Sequence, residues 1–319
     1  MQAIVINSYG GTEVMKLQEI EAPKPGAFEV LVRVHSASIN PIDWKIRRGD
    51  LKLLLSRKFP RVLGVDFAGV IEQVGASVKD FKPGDAVFGM ANPIKSRYGS
   101  YGQYVIAEGK SIAAKPDALS FRDAAAIPVA ALTSLKALKH MINLSAGQSV
   151  FINGASGGVG TFAVQIAKVL GARVCATCGA NNLDFVSELG ADQVYDYKTL
   201  DLDQLKDKFD GVFDASAKLS FASAKQLLKR NGTLVTTVPS SETVLAMLIS
   251  SVLPVSKVHI VLASSGANVP QELTELAELV TSGKVQPIIA QTIALEAVPA
   301  AHREAEKGHA RGKTVIQID

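Results

Sequence analysis

The residues best placed to do chemistry lie between 149 and 171. An apolar run from Ser149 to Asn153 passes directly into Gly154-Ala155-Ser156-Gly157-Gly158-Val159-Gly160. Apolar residues then recur at 159, 163, 164, 166, 167 and 170 until Gly171 stops the pattern. Strand, glycine turn and helix in that order suit a phosphate: backbone N–H groups point outward at a helix N-terminus, with the positive end of the helix dipole behind them. Gly154 makes the tight turn, Gly157 and Gly158 let backbone approach a pyrophosphate, and Gly160 lets the helix lie close on the sheet. In this context the segment predicts a dinucleotide site formed by Ala155, Ser156, Gly157, Gly158, Val159 and Gly160.

The choice of dinucleotide is read at the end of the next strand. An NAD site puts an acid on the ribose diol about 20 residues after the glycines. Here the stretch is Thr177-Cys178-Gly179-Ala180-Asn181-Asn182, with no acid. A 2′-phosphate is then not repelled, and hydroxyl and amide groups can donate to it, so NADP(H) is expected. Tyr197 and Lys198, closing the third strand, are candidates to pack on the adenosine side. Asn181 and Asn182 have an alternative use as a helix N-cap completed by Asp184.

Other chemistries find little support. The only cysteines, Cys175 and Cys178, sit in a strand-like run where residues three apart face opposite sides, so they are expected in the core rather than as a redox or metal pair. The five histidines show no ligand spacing, and no metal is predicted. The 34 basic and 30 acidic side chains leave +4 with no basic block, which excludes a nucleic-acid footprint. No apolar run reaches the ~20 residues of a membrane span, and residues 1–9 are strand-like with no basic leader. A soluble cytoplasmic protein is expected, with the apolar stretch 244–255 as the only candidate for peripheral membrane contact.

The elements that must position these residues fall into two groups. The first hundred residues are short β-rich runs between turn signals (30–34, 68–74, 84–88), which predicts a mostly antiparallel barrel. From about Ser120 the texture becomes helical and Ala-rich. Apolar strands at 149–153, 173–178, 193–197, 211–214, 233–238 and 258–263 then alternate with helices, which predicts a doubly wound parallel sheet. A helix (271–281), a strand (285–293), another helix and a last strand (314–318) form a tail expected to return to the first domain. The expected division is 1–122 with 265–319, and 123–264 inserted between them.

The chain resembles the zinc-free quinone oxidoreductase branch of the medium-chain dehydrogenase/reductase superfamily over essentially its whole length. The resemblance is carried by Asn40-Pro41-Ile42-Asp43-Trp44-Lys45, Arg57-Lys58-Phe59-Pro60, residues 64–70 (GVDFAGV) with Val74-Gly75, residues 128–133 (PVAALT) and Ala155 to Gly160. It continues through residues 176–180 (ATCGA), Asp196-Tyr197-Lys198 and Gly308-His309-Ala310-Arg311-Gly312-Lys313. It implies a GroES-like catalytic domain and a Rossmann cofactor domain with the active cleft between them, usually as a homodimer. It also implies hydride transfer from NADP(H) to a quinone or to the activated double bond of an enone or enal. Zinc relatives ligate metal with Cys and His, and at their Gly-His-Glu position this chain has Gly64-Val65-Asp66.

On the matching positions, Asn40, Lys45 and Thr133 are the candidates to hold the acceptor oxygen or the nicotinamide. Asn40 has an alternative use as a helix N-cap, and Lys45 as a cofactor phosphate contact. Tyr98, Tyr101 and Tyr104 would border the cleft. Val238, His309, Ala310, Arg311, Gly312 and Lys313 join Thr177, Cys178, Gly179, Asn181 and Tyr197 in the cofactor set, the tail segment lying over the nicotinamide half. Relatives with the Thr-Cys-Gly-Ala segment often continue with Arg, a 2′-phosphate clamp, where this chain has Asn181. Two rivals are an enoyl-thioester reductase using Arg47, Arg48, Arg57, Lys58 and Arg61 at its entrance, and a non-catalytic nucleotide-binding scaffold.

Overall fold

The structure is a computed structural model that describes residues 1–55, 59–205, 207–238, 240–250, 256–263, 268–308 and 310–318. Its first half carries β1 (Gln2–Ile6), β2 (Lys16–Glu19), β3 (Glu29–Ser38), β4 (Arg61–Val62), β5 (Asp66–Val74), β6 (Ala86–Met90), β7 (Tyr104–Glu108) and β8 (Ile112–Ala114). Helix α1 (Pro41–Arg48) follows β3. Helices α2 (Phe121–Ala126) and α3 (Pro128–Leu135) lead out of this half.

Then come β9 (Ser149–Asn153), α4 (Gly158–Val169), β10 (Arg173–Cys178), α5 (Leu183–Glu188), β11 (Gln193–Asp196), β12 (Phe209–Asp214), α6 (Phe221–Leu227), β13 (Leu228–Thr236), α7 (Ser241–Ser250) and β14 (Lys257–Ile260). The strand order β11-β10-β9-β12-β13-β14 is parallel throughout. This is the doubly wound Rossmann sheet, and its order reverses between β9 and β12. The loop after β9 therefore opens at the topological switch point, where α/β sheets leave a crevice.

The tail holds α8 (Val269–Thr281), β15 (Ile289–Ala294), α9 (Val298–Glu306) and β16 (Lys313–Gln317). Strand β16 pairs antiparallel with β3, so the chain's end closes the GroES-like sheet β15-β16-β3-β5-β6-β8. The predicted strand at 285–293 begins later, at Ile289; residues 285–288 run outside the sheet.

The barrel core is built on Val30, Val32, Phe67 and Ile316, and the sheet domain on Val150, Ile152, Phe162 and Val174. Cys175 and Cys178 are both buried and enter different apolar clusters, as opposite faces of β10 require. Their thiols are pushed up by burial, to about 12 and about 11, which keeps them inert.

Candidate active site

Strand register brings together residues far apart in sequence. Ser38 of β3 stands opposite both Asp66 of β5 and Val315 of β16. Side chains alternate along a strand, so Asn40, two residues past Ser38, and Lys313, two before Val315, converge on Asp66. Lys313 Nζ donates to Asn40 Oδ1 at 2.5 Å and to the Ile39 carbonyl at 3.0 Å, and lies 3.4 Å from Asp66 Oδ2. Asn40 Nδ2 and Ser38 Oγ both donate to Asp66 Oδ2, at 2.8 and 3.0 Å. The other oxygen, Asp66 Oδ1, accepts from Val129 N in the first turn of α3, where a negative charge is favoured. Burial holds the Lys313 ammonium below its ordinary value, with Asp66 and Asp43 acting the other way.

A second set of buried groups continues from Asn40. Asp43 Oδ2 accepts from the Asn40 backbone N–H at 2.8 Å, so Asn40 does occupy the N-cap of α1, capped reciprocally by the carboxylate three residues on. Tyr101 OH donates to the same oxygen at 2.8 Å. His302 Nε2 lies 3.2 Å from Tyr101 OH, and His302 Nδ1 lies 3.4 Å from Arg47, whose guanidinium pairs with Glu306 at 2.6 Å.

The direction of this chain follows from the chemistry of its ends. Arginine can only donate, so His302 Nδ1 accepts, Nε2–H donates to Tyr101, and Tyr101 donates to Asp43. Burial, with Arg47 beside it, takes His302 down to about 3, and burial pushes Asp43 up to about 7. Asp43 Oδ1 accepts no hydrogen bond among the described residues, which adds to the cost of its charged form. Tyr101 is therefore not a cleft donor as the glycine-rich stretch suggested; its hydroxyl points inward and is raised by burial and then by Asp43.

The glycine turn stands against this cluster. Gly154 has φ +84, which a side chain would strain, and a Cβ on Gly160 would meet Gly154 O at 2.2 Å. A Cβ on Gly157 would meet only Gly154 O, at 3.5 Å, so the space over Gly157 is open. The N–H groups of Gly158, Val159 and Gly160 open α4 and have no carbonyl one turn back; Thr161 N is the first to find one, at Gly157 O. Open space above a glycine and outward N–H groups on a twelve-residue helix fit a pyrophosphate. Over Gly158 runs the Lys313 side chain instead: a Cβ there would lie 2.9 Å from Lys313 Cδ. The same turn spells Gly-x-Ser-x-Gly from Gly154 to Gly158, but among the described residues no hydrogen bond joins a histidine to Ser156.

At the second strand's end, Thr177 Oγ1 donates to Asn153 Oδ1 at 2.7 Å and is buried, so it does not face a ribose phosphate. Asn153 stands between Thr177 and Asp214 in register and uses its Nδ2 on Asp214 and Ser216. The Cys178 side chain is likewise buried, so Gly179, Asn181 and Tyr197 remain to line that corner. Asn182 occupies the N-cap position of α5 without a side-chain capping bond. Tyr197 is exposed, its ring edge 3.7 Å from a Cβ built on Gly179. Thr133 Oγ1 bonds back to Val129 O within α3 at 2.6 Å. Lys45 is half-buried, its ammonium lowered by burial, and it stands outside the Asn40 cluster. Val238 is exposed and Ala310 exposed, while His309 lies outside the described residues.

Comparison with known proteins gives this geometry a family. Residues 26–117 match the alcohol dehydrogenase GroES-like domain, and residues 189–316 match a family described as zinc-binding dehydrogenase. A chloroplastic quinone-oxidoreductase of Triphysaria versicolor is 33% identical over 99% of this chain and 98% of its own length. A tomato (Solanum lycopersicum) 2-methylene-furan-3-one reductase is 34% identical over 99% of this chain and 79% of its own. Among solved structures, the Coxiella burnetii quinone oxidoreductase superposes with TM-score 0.91 at 32% identity, covering 100% of this chain and 99% of that one. The Escherichia coli quinone oxidoreductase complexed with NADPH gives 0.84 at 26% identity, covering 99% and 100%.

The chain is a quinone oxidoreductase of the medium-chain dehydrogenase/reductase superfamily. It is an NAD(P)H-dependent oxidoreductase of that family. Residues 189–316 contain no cysteine. Among the described residues no group of three or more His, Cys, Asp or Glu could hold a metal ion.

Inspection of the sequence missed Asp43, Asp66 and His302 as site residues. Asp66 is visible only as the residue at the metal position of zinc relatives, Asp43 only within the Asn40–Lys45 segment, and His302 gives no signal, since only the return of the tail brings it within reach of Tyr101.

Proposed function

We propose that this quinone oxidoreductase uses NADPH, works without zinc, and reduces quinones or the activated C=C of α,β-unsaturated carbonyls. The observation that carries the reading is the buried cation Lys313, held by Asn40, Ile39 O and Asp66 against Gly158. It stands at the edge of the open cradle over Gly157. A cation fixed in a low-dielectric site beside the cofactor stabilises negative charge developing on an acceptor oxygen, the task a metal performs in other dehydrogenases.

NADPH, when bound, supplies the hydride. The Lys313 ammonium, its N–H groups taken by Ile39 O, Asn40 Oδ1 and Asp66 Oδ2, then acts through its charge, and Asn40 Nδ2 has one N–H besides the one given to Asp66 with which to hold the oxygen on which charge collects. The hydride and protons from solvent turn a quinone to hydroquinone and an enone to the saturated carbonyl. Support for NADPH comes from the Escherichia coli neighbour, and for enones from the tomato relative, whose named substrate is an exocyclic enone.

The enoyl-thioester alternative is weakened by its own cations. Arg47 is buried on Glu306, Arg61 donates to Pro93 O and Ser96 O, and Arg48 is paired with Asp50 and Glu306. Arg57 and Lys58 lie outside the described residues. We also propose a homodimer through the sheet edge at β14, beside which α7 exposes Leu245, Leu248 and Ile249. Residues 251–255 of the apolar stretch lie outside the described residues, and among those described no helix is long and apolar enough to cross a membrane.

The test has two arms. NADPH oxidation is followed with quinones, enones, enals and 2-enoyl-CoA; turnover with none of them favours a non-catalytic scaffold, and the thioester alone favours the rival. The second arm is Gly157→Val. Gly157 has φ −76 and ψ 174, which valine adopts without strain, so the fold is kept and the side chain fills the open cradle. NADPH affinity is expected to fall a hundredfold or more, from loss of two charge-assisted hydrogen bonds at roughly 1.5–3 kcal/mol each. Unchanged affinity would put the nucleotide elsewhere.

A further inference from the structure

The NADPH reading leaves a physical problem at the second strand's end. A 2′-phosphate needs a cation, and the segment from Thr177 to Asn182 has none. Its surroundings are acidic: Asp196 stands opposite Cys178 across the β10·β11 ladder, and Asp184 lies in the first turn of α5. Exposed Lys198, two residues past Asp196, offsets only one of these two acids, and Asn181 is neutral.

The tail brings a guanidinium to this corner. Gly312 N donates to Ser156 O at 2.9 Å, and Gly312 bridges Gly157 in parallel, so the tail backbone lies directly on the glycine turn. Gly312 has φ +80, and a Cβ there would meet Ile288 O at 2.3 Å, which fixes the path of the chain. Lys313 turns down into the barrel toward Asn40. Its neighbour but one, Arg311, crosses the other way, and its guanidinium lies over the ring of Phe185, 3.8 Å from the centroid. Phe185 is in the first turn of α5, three residues after Asn182, so this contact sets the guanidinium beside the segment where the adenosine ribose is read.

Arg311 is exposed, and among the described residues no carboxylate is within ion-pair distance of it. A planar cation stacked on an aromatic face keeps its edge N–H groups free and loses less freedom when it binds a phosphate bidentately. We propose that Arg311, stacked on Phe185, is the residue that recognises the 2′-phosphate of NADPH, standing in for a cation absent at the end of β10. The inference rests on the NADPH reading above, and it moves Arg311 from the nicotinamide half to the adenosine half of the site.

The test is equilibrium titration of the purified full-length apo protein with NADPH, NADH, 2′,5′-ADP and 5′-AMP. The last pair isolates the 2′-phosphate from the pyrophosphate and the nicotinamide. The parent protein is expected to bind NADPH and 2′,5′-ADP more tightly than NADH and 5′-AMP. Arg311→Gln should weaken NADPH and 2′,5′-ADP by about tenfold or more, as expected for a charge-assisted hydrogen bond, while moving NADH and 5′-AMP less than twofold. Arg311→Lys keeps the charge without the fork and should fall between. Equal weakening of NADH and NADPH would assign the guanidinium to the pyrophosphate and overturn the proposal, as would no change in either. A parent protein without NADPH preference would overturn both this proposal and the cofactor reading, whereas a preference that survives Arg311→Gln overturns this one alone.

Discussion

Two buried groups in the relay beneath the active site should cancel each other's effect on stability between about pH 4 and 6.5, and replacing either should expose the other. Asp43 is raised from 3.8 to about 7, so its contribution is fully present below pH 3.8 and is lost as pH rises toward 7. His302 is depressed from 6.5 to about 3, so its contribution is present above 6.5 and is lost as pH falls toward 3. In the overlap, folding takes up one proton at Asp43 and releases one at His302, and the net slope is near zero. One proton of difference is about 1.4 kcal/mol per pH unit, so over the two units from 4.5 to 6.5 each group alone accounts for about 2.7 kcal/mol. His302→Gln can still accept from Arg47 and donate to Tyr101; relative to the parent it should lose about that much stability on going from pH 4.5 to 6.5. Asp43→Asn should gain as much over the same range. Taking the difference from the parent at each pH cancels every other titrating group. The assay is urea unfolding followed by fluorescence at four or five pH values. A His302→Gln variant whose stability follows the parent's pH profile would refute the buried, neutral imidazole on which the hydrogen-bond direction depends.

Two further outcomes follow from the same site. Lys313→Met leaves Asp66 as a buried carboxylate without its cation, and stability should fall by about 3–5 kcal/mol, with Asp66→Asn in the same chain restoring part of it; a single variant as stable as the parent in urea unfolding would show that the pair carries no such coupling. Chelation should leave NADPH oxidation unchanged, and elemental analysis should find no stoichiometric zinc; one tightly bound zinc per chain would contradict the donor assignment to Asn40 and Lys313.

What the sequence disclosed about this molecule was what repeats or is local. The parallel strands are apolar runs separated by glycine and helix signals, so their order along the chain and the position of the turn after β9 were legible. The glycine turn was legible for the same reason: its function depends on backbone, and a residue without a side chain announces that directly. The cluster around Asp66 was only half legible. Asn40 and Lys313 stood out as polar residues in recognisable segments, but their meeting depends on the antiparallel register of β3 with β5 and β16, across 273 residues in the case of Lys313 and Asn40. Register over that separation is set by tertiary packing, which leaves no periodic trace. The direction of the Thr177 side chain was not legible because a hydroxyl at a strand's C-terminal end can face the crevice or the neighbouring strand. Only Asn153, placed opposite it by the β9·β10 pairing, decides for the latter.

The tail concentrates what the cofactor must meet. Within three consecutive positions it sends a guanidinium to Phe185 on α5, lays a backbone N–H on Ser156 in the glycine turn, and drives an ammonium past Gly158 into the barrel at Asn40 and Asp66. On the proposed NADPH reading the three contacts fall on different parts of the dinucleotide's path: the adenosine ribose, the pyrophosphate and the reacting ring. Lys313 is also the first residue of β16, and β16 pairs with β3, the strand that leads to Asn40. The Asn40–Asp66 cluster and the glycine turn are thus joined by one stretch of backbone even though they belong to two sheets. A substitution at Gly312, whose φ of +80 and contact with Ile288 O leave no room for a side chain, would disturb all three contacts at once.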